Sequence, residues 1–197
     1  MTKIFFLDLD GTVREPKSGA KFINDPYDQK LIAGAKEVIA HYSKSGWQLI
    51  GITNQGGVGA GHKSLESAII EQRYTLDLIP ELEAIYFCPD FEGNICWQIS
   101  KYFQRQWDDE PDLFRGTYRK PGDGMLMRAI GEYAPEIENS QHWYIGDREE
   151  DELCAAAAGV NFAWADVWRH RFQKGIGELD LSSRDVSLDT LRKFLAT

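Results

Sequence analysis

The stretch Ile4-Phe5-Phe6-Leu7-Asp8-Leu9-Asp10-Gly11-Thr12 restricts the possible folds of this chain more than any other. Four consecutive apolar residues read as a strand buried on both faces. The run enters two carboxylates at i and i+2, a spacing that in extended chain aims both side chains at one shared pocket. Gly11 lets the chain turn sharply past them. Two carboxylates held together repel, and a hard cation with oxygen ligands, such as Mg²⁺, relieves the repulsion. The competing reading is a solvated strand-to-loop junction, because Asp-Gly is a common turn signal.

Downstream, the rhythm is that of alternating strands and helices. Val13 to Pro26 reads as a loop or short flap able to lean over the Asp pair, or as a plain connection. Leu31, Ile32, Ala35, Val38, Ile39 and Tyr42 fall on one helical face, stopped at Gly46. Trp47 to Ile52 is a second strand ending in Thr53-Asn54-Gln55. A glycine-rich turn leads to Ser64 as an N-cap, then to a helix carrying Leu65, Ala68, Ile69 and Leu76. Ala84 to Phe87 is a third strand. This β-α-β-α-β order predicts an α/β fold, a Rossmann-like parallel sheet flanked by helices, with ligands at the carboxyl ends of the strands. Both acids and the Thr53-Asn54 pair lie there.

Pro89 to Thr117 interrupts the rhythm and reads as an aromatic-rich loop insertion containing Phe91, Trp97, Tyr102, Phe103 and Trp107. It would roof a substrate pocket, form a contact between subunits, or pack a small core of its own. The acidic run 108–112 reads as a solvated loop. Arg119-Lys120-Pro121 precedes a helix bearing Leu126, Ala129, Ile130 and Tyr133. His142 to Ile145 is a fourth strand, delivering Gly146-Asp147 and, after it, Asp151. A helix through Leu153 to Ala158 stops at Gly159, and Val160 to Ala163 is a fifth strand. Ser187, Leu188, Leu191 and Leu195 suggest a capped terminal helix at 187–196.

The length of 197 residues suits one domain spanning 1–197. A formal net charge of −9 disfavours non-specific attachment to nucleic acid or anionic membranes. The three cysteines, Cys88, Cys96 and Cys154, cannot all pair within one chain, which favours a reducing compartment. With no signal peptide and no apolar run long enough for a bilayer, the expected location is cytoplasmic, as a monomer or dimer.

Gathered at one sheet edge, Asp8, Asp10, Thr53, Asn54, Arg119, Lys120, Asp147 and Asp151 are the parts phosphoryl transfer requires. In their order and placement, these stretches resemble the haloacid dehalogenase superfamily of phosphatases. Within it they are similar to the histidinol-phosphate and heptose-bisphosphate phosphatases, and to the phosphatase domain of polynucleotide kinase 3′-phosphatase. The resemblance implies that Asp8 is the nucleophile and Asp10 the general acid and base. It implies Mg²⁺ on Asp8, Asp10 (through its main chain) and Asp147. Thr53 and the Asn54 amide would bind phosphate, Lys120 would neutralise Asp8, Arg119 would meet the substrate, and Asp151 would orient Lys120 or a metal-bound water rather than ligate the metal directly. No large cap domain fits in the chain.

The bacterial sugar-phosphate members carry a zinc loop of cysteines and histidine. Here Cys88 is in place, but Asp90 stands where the histidine belongs, and Gly116-Thr117-Tyr118 replaces the second cysteine pair. A closed zinc site needs four good ligands, so zinc is not expected. The substrate implied is a small phosphorylated metabolite, of sugar or histidinol phosphate type, or else a 3′-phosphorylated nucleic-acid end. The remaining alternative is a non-catalytic scaffold with a vestigial site.

Overall fold

The computed structural model describes residues 3–107 and 113–170. The acidic run 108–112 and the terminal helix expected at 187–196 lie outside the described residues. In chain order the elements are β1 (Ile4–Asp8), β2 (Arg14–Glu15), β3 (Lys30–Leu31), α1 (Ala35–Lys44), β4 (Gln48–Asn54), α2 (Gly56–Gly59) and α3 (Leu65–Leu78). They continue with β5 (Leu82–Cys88), β6 (Cys96–Ser100), β7 (Gln104–Trp107), α4 (Gly124–Tyr133), β8 (Trp143–Gly146), α5 (Glu149–Ala158), β9 (Asn161–Trp164) and α6 (Ala165–His170).

One seven-stranded sheet runs in the order β7-β6-β5-β4-β1-β8-β9. From β5 to β9 every neighbouring pair is parallel, whereas β6 and β7 join antiparallel at the edge. All five residues of β1 are buried because its alternate side chains feed two different cores. Phe5 and Leu7 pack with Val38 and Tyr42 of α1 and with Trp168 of α6. Ile4 and Phe6 pack with Leu126 and Ile130 of α4 and with Ala155 of α5. The uninterrupted apolar run is thus the signature of a strand with helices on both sides. Among the described residues no large cap covers the sheet, and no helix is long and apolar enough to cross a membrane.

Two readings of the sequence are corrected. The first helix begins at Ala35, not at Leu31, because Leu31 pairs with Arg14 in a small hairpin and the Ile32 N–H donates to the Val13 carbonyl. Gly34, at φ 88°, then turns the chain into α1. The segment 89–117 is not simply a loop insertion: β6 and β7 within it extend the main sheet. Trp97 packs on one core face and lies nearly parallel to Phe87, while Trp107 packs on the other between Arg105 and Arg128. Alternation along an edge hairpin therefore sends these aromatics to existing cores rather than to one of their own.

The start of β1 is fastened by His142, whose Nδ1 accepts the Ile4 N–H at 3.0 Å. Burial of the ring, with Lys3 adding to it, holds the imidazole below its ordinary pKa. The folded protein therefore keeps His142 neutral where the unfolded chain takes up a proton, below about pH 6.5. The stability it contributes is present above that pH and lost as pH falls through it. The melting temperature is expected to drop between pH 7.5 and 5.5, with that share of the drop missing in His142→Gln.

Candidate active site

Parallel pairing puts the ends of the central strands level. Asp8 is opposite Ile52, one residue before Thr53, and Leu7 is opposite Ile145, two residues before Asp147. The order β4-β1-β8 reverses direction around β1, which is where such sheets open a crevice. A cleft of about 600 Å³ lies there, lined by Asp8, Asp10, Thr53, Asn54, Lys120 and Asp147 among others.

At its floor Lys120 is almost wholly buried, and its Nζ donates to Asp8 Oδ1 at 2.7 Å and to Asp151 Oδ1 at 2.5 Å. Burial disfavours the ammonium, but the two carboxylates overcome this and hold its pKa above the ordinary value. Asp8 Oδ2 accepts from the Thr12 hydroxyl at 3.0 Å. Burial, opposed by Lys120 and reinforced by Asp151 and Asp147, pushes the Asp8 carboxyl up to about 8. Asp151 has both oxygens engaged: Tyr144 Oη donates to Oδ1 at 2.9 Å and the Arg148 N–H to Oδ2 at 3.1 Å. Asp151 is therefore built into the frame that carries Lys120.

Oxygens of Asp8, Asp147 and Asp151 lie within 4.8 Å of one another. Asp147 Oδ1 is buried without a hydrogen-bond partner among the described residues. A Cβ at Gly11 would collide with the Asp147 carboxylate, so the turn after Asp10 must be glycine for the two to approach. An orphaned carboxylate oxygen beside a second acid fits a hard divalent cation. Asp151 is fully buried behind the cleft with three donors on its two oxygens, whereas Asp8 and Asp147 line the cleft and are the side chains placed to hold one.

The Asp10 carboxylate faces the other way. Its Oδ2 accepts from Thr53 Oγ1 and Gln55 Nε2, each at 3.3 Å, and Arg14 forks onto both oxygens at 2.9 and 3.2 Å. Desolvation would raise the Asp10 pKa, but the charge and hydrogen bonds of Arg14, with Lys63 and Thr53, hold it below the ordinary value. The Asn54 side chain brackets the backbone of Lys120, accepting its N–H at 3.0 Å and donating to its carbonyl at 3.1 Å. Arg119 lies over the Phe91 ring at 4.9 Å, with Nη1 buried and unpaired among the described residues. Seven of the eight expected positions thus line one cleft, and Asp151 is buried behind it against Lys120.

Several contributors carried no local signal. Arg14 falls in a charged stretch without periodicity, and Arg169 lies just beyond the last readable strand. Arg169 donates from Nη1 to the carbonyls of Gly11 and Thr12, at 3.1 and 2.6 Å, and so ties α6 to the turn beside the acids. Glu71 and Thr75 did leave a trace, as polar residues on the inner side of α3, next to Ala68 and Leu76.

Asp90 takes over an organising role in the loop after β5. Its carboxylate accepts the N–H groups of Asn94 and Ile95 at 2.8 and 3.1 Å, and the Cys88 thiol at 3.2 Å. Burial and the Asp90 carboxylate push that thiol up to about 12, so it stays a donor. The Gly93 carbonyl of the same loop accepts from Gly116 and Tyr118, directly ahead of Arg119. Asp90→Ala leaves these donors unmet and is expected to cost about 1–3 kcal/mol. The melting temperature should fall by several degrees, with KM rising as Phe91 and Arg119 lose their support.

The chain matches the family described as Polynucleotide kinase 3 phosphatase over residues 3–169. It is similar to the D-glycero-beta-D-manno-heptose-1,7-bisphosphate 7-phosphatase of Vibrio cholerae, with 30% identity over 79% of this chain and 76% of that one. The histidine biosynthesis bifunctional protein HisB of Legionella pneumophila is 30% identical over 82% of this chain and 41% of its own. In fold, the chain is like the D,D-heptose 1,7-bisphosphate phosphatase from B. bronchiseptica, solved with magnesium and phosphate. The TM-score is 0.59 at 22% identity, covering 82% of this chain and 79% of that one.

Proposed function

Because this chain belongs to the polynucleotide kinase 3 phosphatase family of haloacid dehalogenase phosphatases, we propose that it hydrolyses phosphomonoesters through an aspartyl-phosphate on Asp8. The observation that carries this reading is the placing of Asp8 between Lys120 and the partnerless oxygen of Asp147, at the floor of an open cleft. Asp8 attacks phosphorus and the bond to the ester oxygen breaks. Asp10, which takes up a proton as the negative charge of the substrate phosphate comes beside it and opposes the pull of Arg14, gives that oxygen its proton. Asp10 then takes a proton from water, the water oxygen attacks phosphorus and the bond to Asp8 breaks. One water is consumed, and one alcohol and one phosphate are released. Lys120 offsets the charge of Asp8 and of the transferring group, Thr53 and the Asn54 N–H bind phosphate oxygens, and Arg119 meets the substrate. When bound, Mg²⁺ held by Asp8, the Asp10 carbonyl and Asp147 supplies Lewis-acid charge to the phosphoryl oxygens.

The substrate class we favour is a small sugar phosphate. In support, relatives matching most of this chain are named as heptose-bisphosphate phosphatases. A second reading, a 3′-phosphorylated nucleic-acid end, is favoured by the family match itself and by Lys21, Phe22, Phe91 and Arg148 lining the cleft. The test is Mg²⁺-dependent phosphate release from sugar phosphates, histidinol phosphate, nucleotides and a 3′-phosphorylated oligonucleotide. Preference for a sugar phosphate supports the first reading, and preference for the oligonucleotide replaces it with the second. No release from any of them would leave a vestigial site.

A further inference from the structure

We infer that Arg14 is the positioning residue for Asp10, fixing its carboxylate at the mouth of the cleft from a fully buried network anchored on α3. The inference rests on the reading of Asp10 as acid and base. Arg14 is 0% exposed, and every guanidinium donor is committed. Nε and Nη2 fork onto Asp10, and Nη2 also reaches Glu71 Oε1 at 2.8 Å. Nη1 donates to Gln29 Oε1 at 3.1 Å and to the Thr75 hydroxyl. With no donor free and no exposed surface, Arg14 does not bind substrate.

The network is braced behind Arg14. Glu71, 1% exposed, also accepts from Lys63 Nζ at 2.5 Å, and Gln29 donates to the Glu71 and Pro26 carbonyls. Two cations and two carboxylates balance. A planar fork with five donors in fixed directions leaves one orientation for the carboxylate it holds. Tying the β1 turn to α3 alone would be achieved at lower cost by apolar packing, since burying charges carries a large desolvation penalty. What the ionic arrangement adds is direction: the Asp10 side chain, 38% exposed, keeps one edge toward the cleft.

The test compares an aryl with an alkyl phosphate, p-nitrophenyl phosphate and β-glycerol phosphate. Nitrophenolate leaves without needing a proton, so only the second step, water attack on phospho-Asp8, depends on Asp10. For the alkyl ester both steps do. In Arg14→Lys, kcat on the alkyl ester is expected to fall about 100-fold with KM nearly unchanged. On the aryl ester the phosphoenzyme should accumulate, seen as a nitrophenolate burst approaching one per active site. Arg14→Ala should be rescued by guanidinium and not by ammonium at equal ionic strength. If that variant does not fold, the burst in Arg14→Lys decides. Unchanged kcat on both esters overturns the inference, as does an equal loss on both with neither burst nor rescue. Absence of both turnover and phosphoenzyme in the wild type would instead remove the phosphatase reading, and this inference with it.

Discussion

Asp8→Asn is expected to abolish phosphate release, lowering turnover by roughly 10⁴-fold or more, the scale seen when a nucleophile is removed. The amide keeps the shape of the side chain, but its oxygen is too weak a nucleophile to attack phosphorus. Stability should be spared. In wild type, Asp8 shares one buried lysine with Asp151 and stands close to Asp147. The substitution puts a neutral group where burial and the neighbouring acids already hold the carboxyl up to about 8: the amide oxygen still accepts from Lys120, and Asp151 remains as the ionic partner of the ammonium. The melting temperature of the metal-free protein should therefore stay within a few degrees of wild type. An inactive variant with intact folding separates loss of chemistry from loss of structure. Retained turnover would show that phosphorus is not attacked by Asp8.

Lys120→Ala is expected to damage both activity and fold. The ammonium is the shared partner of Asp8 and Asp151, two nearly inaccessible carboxylates. Removing one member of a buried ionic group leaves the others uncompensated, at a cost of about 3–5 kcal/mol. For a protein of this length that corresponds to a fall in melting temperature on the order of 10 °C. Turnover should fall by about 10²–10³-fold as the transferring phosphoryl group loses its nearest fixed cation. Combining Lys120→Ala with Asp151→Ala should recover part of the lost stability, because the second change removes a carboxylate that the first left unpaired. Simple additivity of the two losses would show that Lys120 and Asp151 do not act as a pair.

The elements that placed the site were legible because their causes are local. A four-residue apolar run followed by Asp-x-Asp-Gly predicts a central strand and its terminus, since burial on both faces forbids polar residues until the strand ends. Ser64 announced α3 and does accept the Ser67 N–H at 3.0 Å. The first helix and the edge hairpin were less legible. Leu31 fits a helical face, yet its pairing with Arg14 overrides that propensity, and the strands of 96–107 become recognisable only when β5 is there to pair with them.

By itself, then, the amino-acid order determined the β1 strand, the acids and hydroxyl at the strand ends, and the cationic pair Arg119-Lys120. These follow from nearest-neighbour patterns of polarity. Tertiary structure alone decided that Tyr144 and the Arg148 N–H occupy Asp151 beside Lys120, that Asn54 grips the Lys120 backbone, and that Arg14 is buried against Asp10 and Glu71. Lys120 lies 112 residues from Asp8, and Arg14 lies 57 from Glu71. Whether a charge is a solvated surface group or a buried partner depends on what the folded chain brings beside it, and no local spacing encodes that.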